Sequence, residues 1–328
     1  MSRKWHAISK ACANIALAKY WGKADVPLNL PAVPSISMTL DGLVTETKLR
    51  VDPSLDADHV ELDGRVATAA EAKRVVALLE DIRRRAKRKE HAHVVSQNRF
   101  PTAAGLASSA SGFAALAAAA DRGYELGASE RVLSAVARQA SASAARSIFG
   151  GFVELPAGKP GKKALAAKPL APADHWDLRI VVAQAAKGPK KVGSTEGMER
   201  SRHTSPFYEA WVEKAPAITM TIRRALKKRD LDTLGAAMEQ STMAFHSCAM
   251  TATPAILYWQ PATMAALHTV RRLRDERGIS VWATMDAGPH VKALCHEADA
   301  RKVRRALRET PGVLETLVAA PGPGVTVR

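Results

Sequence analysis

Alternating apolar and polar positions dominate the first third of the chain. Residues 36–40 and 43–51 have the pattern of strands and flank Asp41-Gly42, a dipeptide typical of hairpin turns. Residues 92–98 alternate in the same way and predict another strand, whereas the spacing of residues 68–89 predicts a helix. This part of the chain is therefore expected to be rich in strands.

Helical spacing becomes more frequent after residue 100. Apolar positions of residues 101–120 fall near one face of a helix, and Ser129 is a candidate N-cap for a second helix that ends near Ala140. A Pro-, Gly- and Lys-rich stretch over residues 156–174 predicts an exposed loop. The remaining pattern predicts strands over 178–184, 280–288 and 314–320 and helices over 206–228, 232–250, 261–277 and 297–309.

Strands and helices are mixed without the regular alternation of a parallel α/β protein. The chain is therefore predicted to be α+β, with a boundary near residue 175. We expect an N-terminal domain over residues 1–175 and a C-terminal domain over residues 176–328, which suits a chain of 328 residues.

The net charge of +16 favours negatively charged partners. The densest basic cluster, residues 83–89, has no interleaved aromatic residues, and no nucleic-acid-binding motif accompanies it. We therefore interpret the cluster as the solvated end of a helix and expect small anionic substrates rather than nucleic acid.

Several other classes of protein are not indicated. No apolar run approaches the roughly 18 residues needed to cross a bilayer, and the first residues contain no apolar core of a secretory signal. Cys12, Cys248 and Cys295 are scattered, odd in number and without metal-binding spacing. We expect a cytoplasmic protein with no membrane partner.

The stretch PTAAGLASSASGFAALAAAA, residues 101–120, suggests an anion site. Gly105 allows close approach of a ligand, and Ser108 and Ser109 add donors where a helix begins. The first turn of a helix has unpaired N–H groups and the positive end of the peptide dipoles, so it can hold a phosphate. A Ser-capped, alanine-rich packing helix explains the same residues, and the sequence here matches neither a P-loop nor a dinucleotide motif.

Charged groups also surround the turn at Trp21-Gly22. Lys19, Tyr20 and Lys23 could together bind a multiply charged anion, because ammonium groups pair well with phosphate. An ordinary surface turn is the alternative interpretation.

A second polar cluster lies in residues 139–152. Ser141 and Ser143 precede Arg146 at a predicted helix opening, where the arginine fork would hold a carboxylate through two parallel hydrogen bonds. A surface ion pair is the structural alternative for Arg146.

Two later turns add an acid and a hydroxyl. Asp286 follows a predicted strand and precedes small residues and a proline, which suits a general base or a group that orients a hydroxyl. Ser194, in the polar turn VGSTEGM, could donate to a phosphate. Turn initiation and helix capping are the ordinary structural roles of these two residues.

Taken in order, these segments resemble the diphosphomevalonate decarboxylases. That family belongs to the superfamily of galactokinases, homoserine kinases, mevalonate kinases and phosphomevalonate kinases. The resemblance covers residues 13–320 and is carried by the motifs NIALAKYWGK, LNLP, FPTAAGLASSASGFAAL, SASAARSIFGGFVE, GSTEGM and MDAGP.

The resemblance implies two α+β domains, the first like ribosomal protein S5 and the second ferredoxin-like, with the active site in the cleft and a homodimeric assembly. It implies that ATP, with Mg²⁺, phosphorylates the tertiary hydroxyl of mevalonate 5-diphosphate. The 3-phospho intermediate then loses phosphate and carbon dioxide to give isopentenyl diphosphate.

The resemblance also implies roles for the candidate residues, with the metal ligands unassigned. Asp286 would lie beside the hydroxyl as base or orienter, Arg146 would hold the substrate carboxylate, and Lys19 would neutralise the transferring phosphoryl group. The implied substrate contacts are Tyr20, Lys23, Ser141, Ser143 and Ser194. The implied ATP contacts are Gly105, Leu106, Ala107, Ser108 and Ser109.

Four positions depart from the family pattern. Ala24, Val33, Pro34 and His290 stand where family members commonly carry other, mostly polar, residues. We interpret the four as a changed rim of the substrate pocket, which leaves the preferred phosphorylated mevalonate open. The alternatives are a phosphomevalonate decarboxylase that makes isopentenyl phosphate, a mevalonate 3-kinase without decarboxylation, and a binding protein without catalysis.

Overall fold

The structure, a computed structural model of the chain, describes residues 4–100, 108–188 and 190–328. In the first half the elements are β1 (Ala7–Ala18), β2 (Lys23–Asp25), β3 (Leu30–Pro31), β4 (Ser35–Val51), β5 (His59–Leu62), β6 (Arg65–Val66), α1 (Ala69–Ala86), β7 (Ala92–Asn98), α2 (Ser108–Gly123), α3 (Glu130–Ala140), α4 (Ala144–Ser147), β8 (Phe152–Leu155) and β9 (Lys168–Ala171). The second half contributes β10 (Leu178–Gln184), α5 (Ser194–Thr204), α6 (Tyr208–Lys228), α7 (Leu231–Met250), α8 (Pro261–Asp275), β11 (Val281–Thr284), β12 (Val291–His296), α9 (Glu297–Arg308), β13 (Glu315–Ala319) and β14 (Thr326–Val327).

The larger sheet is built around β4, whose two halves have different surroundings. The strand order is β14-β1-β4-β7-β5-β6, and β8 and β9 extend the sheet beside the first half of β4. Residues 43–51 alternate between buried and more exposed side chains, so that one face packs and the other reaches solvent. Residues 35–40 are buried on both faces, because the second half of the chain covers the face that is open further along.

Asp41-Gly42 does not form the predicted hairpin. The strand β4 continues through it, and the dipeptide lies in a bulge where residues 40–43 face the single residue Ala13 of β1. Gly42 takes a φ of +77°, which glycine adopts without strain. The Asp41 N–H donates to the carbonyl of Ala320 in the C-terminal tail, so a later part of the chain pairs with the bulge instead of the chain turning back on itself.

Helices α1 to α4 cover one face of the larger sheet. The inward face of α2 is almost pure alanine, which lets its backbone lie close to β1 and β4. Across this contact the Ser9 hydroxyl on β1 donates to the carbonyl of Ala115 at 2.6 Å. The small side chains of α2 therefore allow close packing of helix on sheet.

The smaller sheet has the antiparallel order β11-β12-β10-β13. Val181 and Ala183 of β10 pack in the same core as α8 and α9. Ile180 and Val182 face a second core, which contains α6, α7 and also Ile15 of the larger sheet. The two halves of the chain thus share an apolar core, which holds the end of β1 against the second half.

Most of the long elements lie where the sequence pattern predicted them. The predicted helices correspond to α1, α2, α3, α6, α7, α8 and α9, and the predicted strands to β7, β10, β11 and β13. The pattern missed β1, β12 and α5, and β9 lies inside the stretch predicted as a loop. β1 and β12 were missed because they are largely buried on both faces and so lack a clear alternation.

Within the described ranges, no helix combines the length and the apolar character that a membrane span requires.

Replacing Asp58 by alanine is expected to lower the free energy of unfolding by about 3–5 kcal/mol, because a buried cation then loses its partner. The Asp58 side chain is 1% exposed, and its Oδ1 accepts from Arg83 at 2.6 Å and from the Ala92 N–H at 2.8 Å. Urea unfolding measures the loss. Glu213→Ala removes the acid of an exposed pair with Lys214 and should change the free energy of unfolding much less, because exposed ion pairs contribute little. Equal effects of the two changes would contradict the importance of burial.

Candidate active site

Lys19 and Asp286 meet where the end of β1 approaches the loop after β11. Lys19 Nζ lies 2.9 Å from Asp286 Oδ1. The Lys19 N–H donates to Ser241 Oγ on α7 at 3.0 Å, which anchors the end of the strand. The Lys19 side chain is 3% exposed and that of Asp286 28%, so within this pair it is the carboxylate that reaches solvent.

Burial and the charge of the partner shift the pKa of each residue of this pair in opposite directions. Burial lowers the pKa of Lys19 to about 8, although the attraction of Asp286 opposes the change. Burial alone would raise the pKa of Asp286, but the ammonium groups of Lys19 and Lys292 outweigh it and hold that pKa well below its usual range. At pH 7 the pair is therefore ionised, and Asp286 is a weak base.

Arg146 is the third charged group and lies on α4, almost fully buried. Its guanidinium donates to Ser35 Oγ at 2.7 Å and to Asn14 Oδ1 at 3.3 Å. Its Nε has no acceptor among the described residues, and burial lowers the pKa of the group to about 10 while Asp286 opposes the change. A buried guanidinium with a donor to spare suits recognition of a ligand carboxylate.

Ser141 and Ser143 converge beside Arg146. Their hydroxyl oxygens lie 3.0 Å apart, although residues two apart point in different directions on a regular helix. They meet because α3 ends at Ala140 and Ser141 has extended backbone angles before α4 begins. Asn14, which the sequence reasoning missed, donates to the Ser143 carbonyl at 3.1 Å and so joins this turn to the arginine.

Tyr20 and Lys23 lie on either side of a turn at Gly22. The Tyr20 hydroxyl is buried without a hydrogen-bond partner among the described residues, and burial raises its pKa. Burial lowers the pKa of Lys23, and the nearby cation of Arg74 adds to the effect. Gly22 has a φ of +109°, and a side chain there would collide with the Tyr208 hydroxyl, so the turn requires glycine.

Arg74 is a further cation near this turn that the sequence reasoning missed. It lies on α1, where its guanidinium stacks 5.0 Å from the centre of the Phe113 ring. Its Nη1 lies 3.5 Å from the carbonyl of Ala140, next to Ser141. The sequence does not distinguish Arg74 from the other basic residues of α1. Only the packing of the helix does.

Ser194 begins α5 and contacts another cation that was not predicted, Lys190. Lys190 Nζ lies 2.7 Å from Ser194 Oγ and 2.9 Å from the carbonyl of Ala287. Its charge also acts on Asp286. The loop before α5 therefore brings one more ammonium group to the side of the carboxylate.

The segment predicted to hold ATP is described only in part. Outside the described residues lie Gly105, Leu106 and Ala107. The helix α2 begins at Ser108, with Ser109 half-buried in its first turn, and that turn has no acidic residue. Ser111 is buried, and its hydroxyl bonds Thr45 Oγ1 at 2.7 Å, so this serine faces the sheet.

Two of the four departures from the family pattern lie in the interior and not at a pocket rim. Val33 is 0% exposed and packs in an apolar cluster with Trp21. His290 is buried, and its Nδ1 accepts the Ala185 N–H at 3.1 Å. The interpretation of these two as rim residues is therefore wrong, since both side chains are buried in the interior. Pro34 is half-buried and Ala24 is exposed.

A cluster of His59, Glu61 and His93 on β5 and β7 lies apart from these residues. Glu61 Oε1 is 2.7 Å from His93 Nε2 and 3.4 Å from His59 Nε2. Arg50 lies 3.4 Å from His93 Nδ1. Because arginine can only donate, its contact favours the tautomer in which His93 carries its proton on Nε2 and donates it to Glu61, so a hydrogen-bonded network accounts for the cluster.

Models of two protein families match the chain. The diphosphomevalonate decarboxylase-like N-terminal domain matches residues 11–166, and the mevalonate 5-diphosphate decarboxylase C-terminal domain matches residues 179–317. The diphosphomevalonate decarboxylase of Ganoderma lucidum is 36% identical over 309 residues, which are 87% of this chain and 77% of that protein.

Solved structures agree with the sequence matches. The crystal structure of mevalonate diphosphate decarboxylase from Staphylococcus aureus superposes with a TM-score of 0.92 at 33% identity and covers 98% of each chain. A structure of MDDEF in complex with MVAPP, AMPPCP and magnesium superposes with a TM-score of 0.91 at 36% identity, again over 98% of each chain. The predicted α+β fold is confirmed.

Replacing Asp286 by asparagine is expected to move the pKa of Lys19 below its value of about 8. The carboxylate is the main group that opposes burial, and the like charges of Lys292 and Arg146 remain in the variant. NMR of protein carrying ¹³Cε-labelled lysine measures the titration, and Lys19→Arg assigns the signal.

Asp299→Asn is the matched control, because Asp299 contacts the exposed Lys302 at 3.1 Å and is not among the groups that shift the pKa of Lys19. The control should leave the Lys19 titration unchanged. A Lys19 pKa that stays the same without Asp286 would contradict the ion pair.

Proposed function

The chain belongs to the diphosphomevalonate decarboxylase family, and from that premise we propose that it catalyses the ATP-dependent decarboxylation of mevalonate 5-diphosphate. The products are isopentenyl diphosphate, carbon dioxide, phosphate and ADP. The observation that carries the proposal is the contact of Lys19 with Asp286 near the buried Arg146. These three groups supply the charges that such a reaction needs.

The chemistry begins with a tertiary alcohol, which is a poor leaving group. Transfer of the terminal phosphoryl group of ATP converts the hydroxyl to a phosphate, which leaves readily. As that phosphate departs, positive charge grows at the tertiary carbon, and the electrons of the C–CO₂⁻ bond form the alkene. The protein must therefore hold a hydroxyl, a phosphoryl group and a carboxylate in fixed positions.

Asp286 orients the hydroxyl and Lys19 neutralises the phosphoryl group. Phosphoryl transfer through a loose transition state needs little help from a base, and a carboxylate beside two ammonium groups is a weak base. Asp286 therefore acts mainly as the hydrogen-bond acceptor that aligns the hydroxyl. The ammonium of Lys19 is next to that position and can turn to the negative charge of the transferred group.

Arg146 holds the substrate carboxylate opposite the leaving phosphate. Its position is fixed by Ser35 and Asn14, and its Nε is left as a donor. Fixing the carboxylate matters because the C–CO₂⁻ bond has to align with the departing phosphate for the electrons to form the alkene.

A wider set of polar groups is proposed to bind the diphosphate end of the substrate. The residues proposed to bind it and the neighbouring carboxylate are Tyr20, Lys23, Arg74, Ser141, Ser143 and Ser194. The unpaired hydroxyl of Tyr20 and the half-buried ammonium of Lys23 support this assignment, because a polyanionic ligand would provide the partners that they lack.

ATP is proposed to bind with its phosphates at the start of α2, through Gly105, Leu106, Ala107, Ser108 and Ser109. The absence of acidic residues in the first turn of this helix fits a phosphate there. A relative solved with AMPPCP and magnesium supports both groups. Mg²⁺ would be carried on the phosphate oxygens, where it neutralises charge that builds up during transfer.

The resemblance of the motifs alone supports three further proposals. The chain forms a homodimer, acts in the cytoplasm, and divides into domains near residue 175. The division is supported by the two sheets, which are formed from residues 7–171 and 178–319, although β14 returns to the first sheet.

With ATP and Mg²⁺, the protein is expected to release carbon dioxide and isopentenyl diphosphate from mevalonate 5-diphosphate. Parallel reactions with mevalonate and its 5-phosphate test the substrate, and mass spectrometry follows all products. Turnover of the monophosphate alone would replace the substrate by mevalonate 5-phosphate. Formation of ADP without carbon dioxide would leave a 3-kinase, and absence of any turnover would leave a binding protein.

Asp286→Asn and Arg146→Gln are each expected to lower kcat by roughly three orders of magnitude, since each removes a charge placed for the transition state. Steady-state kinetics measure the loss, and urea unfolding checks that the fold is kept. Asp56→Asn and Arg301→Gln make the same changes at exposed positions and should leave kcat within about twofold. Near-native turnover of either site variant would refute the role given to that residue.

A further inference from the structure

Lys292 is a buried cation whose role the proposed reaction leaves open. It lies on β12 between Val182 of β10 and Thr284 of β11, and its side chain is 1% exposed. Its Nζ has no hydrogen-bond acceptor among the described residues, and its ion-pair partner there is Asp286, with Nζ 3.5 Å from Oδ2. Because a buried ammonium is costly when unpaired, this position calls for an explanation.

Asp286 is shared between two lysines through different oxygen atoms. Lys19 lies 2.9 Å from Oδ1 and Lys292 3.5 Å from Oδ2. The two ammonium groups lie close together and repel each other. The charge of Lys292 therefore lowers the pKa of Lys19. Lys19 is therefore held to the carboxylate less firmly than it would be in an isolated buried pair.

The surroundings of Asp286 have an excess of positive charge. The titratable groups that act on it or on its lysine partners are Lys19, Lys190, Lys292, Arg146, His246 and His290. Burial lowers the pKa of His246 to about 3 and that of His290 to about 4, so both imidazoles are neutral at pH 7. One carboxylate thus faces four cations, an imbalance that a polyanionic substrate relieves.

We propose that Lys292 is a positioning residue that stays paired with Asp286 while Lys19 turns from the carboxylate to the phosphoryl group being transferred. The inference rests on the proposed function, because it needs an anion for Lys19 to bind. When Lys19 leaves Oδ1, Lys292 still compensates Oδ2, and Asp286 keeps its charge and direction toward the hydroxyl. Lys292 acts through Asp286, which is its ion-pair partner among the described residues.

Lys292→Met removes the charge and keeps an unbranched apolar stem in a buried position, and Asp286 still has Lys19 as its ion-pair partner in the variant. We expect kcat for mevalonate 5-diphosphate to fall about tenfold or more with KM within about twofold, because Lys19 is then bound more tightly by Asp286. The pKa of Lys19 should rise from about 8, because a like charge has been removed, and the alkaline limb of kcat/KM should move to higher pH with it. Ionisation of the substrate is the same for the wild type and the variant, so it does not contribute to the difference between their pH profiles.

Three further variants make the test specific. Lys292→Arg retains the charge, so it should keep the Lys19 titration near the wild-type value and restore part of kcat. Lys302→Met makes the same change at an exposed lysine and should alter neither kcat nor the titration. If Lys292→Met does not fold, Lys292→Gln takes its place with the same expected results.

Two outcomes would overturn the proposal. The first is a kcat of the charge-removing variant within twofold of the wild type. The second is a lost kcat with an unchanged Lys19 titration, which would make Lys292 a purely structural residue. The Lys19 titration is measured by NMR without substrate, so it judges the electrostatic role separately, whereas a wild-type protein that forms no product would refute the proposed function itself.

Discussion

The Lys19–Asp286 ion pair joins side chains 267 residues apart in the sequence. Each comes from a different half of the chain, at the end of β1 and in the loop after β11, so the contact exists only when the two sheets are packed together. The shared apolar core with Ile15 and Ile180 supplies that packing. Burial in this contact lowers the pKa of Lys19 to about 8 while the attraction of Asp286 opposes that shift, so the ammonium stays mainly charged at neutral pH, where a phosphoryl group would need it.

The buried charges of the site repel one another, and the stability of the rest of the fold keeps them together. Arg146, Lys19 and Lys292 are nearly fully buried and face Asp286 as their shared carboxylate. Such an arrangement lowers stability in the empty protein, because buried like charges repel, and it is relieved by a ligand that carries several negative charges. Arg146 and Lys292 keep their positions when charge develops during the reaction, and Lys19 turns only from Asp286 to the neighbouring phosphoryl group, so little of the site has to reorganise.

Sequence reasoning singled out charged groups that lie within three residues of glycine or serine in long motifs. Asp286, Arg146 and Lys19 belong to such motifs, and the helix start at Ser108 follows from its local pattern. Arg74 and Lys292 could not be found in this way. A lysine in a strand or an arginine on a basic helix can be placed near the site only when the packing of distant elements is known. The false hairpin at Asp41-Gly42 has the same origin, because the pairing partner of that bulge lies near residue 320.

The effect of each departure from the family pattern depends on where the residue lies in the fold. Val33 packs beneath the turn that carries Tyr20 and Lys23, and His290 accepts a hydrogen bond from the backbone after β10. Both side chains pack in the interior, so a change of residue there alters the support of the neighbouring turn and loop. Lys23, which belongs to the motif NIALAKYWGK, and Arg74 are among the groups that would contact a second phosphate. Their presence favours the diphosphate, because removing one phosphate from the ligand would leave the half-buried charge of Lys23 and the exposed charge of Arg74 without that partner.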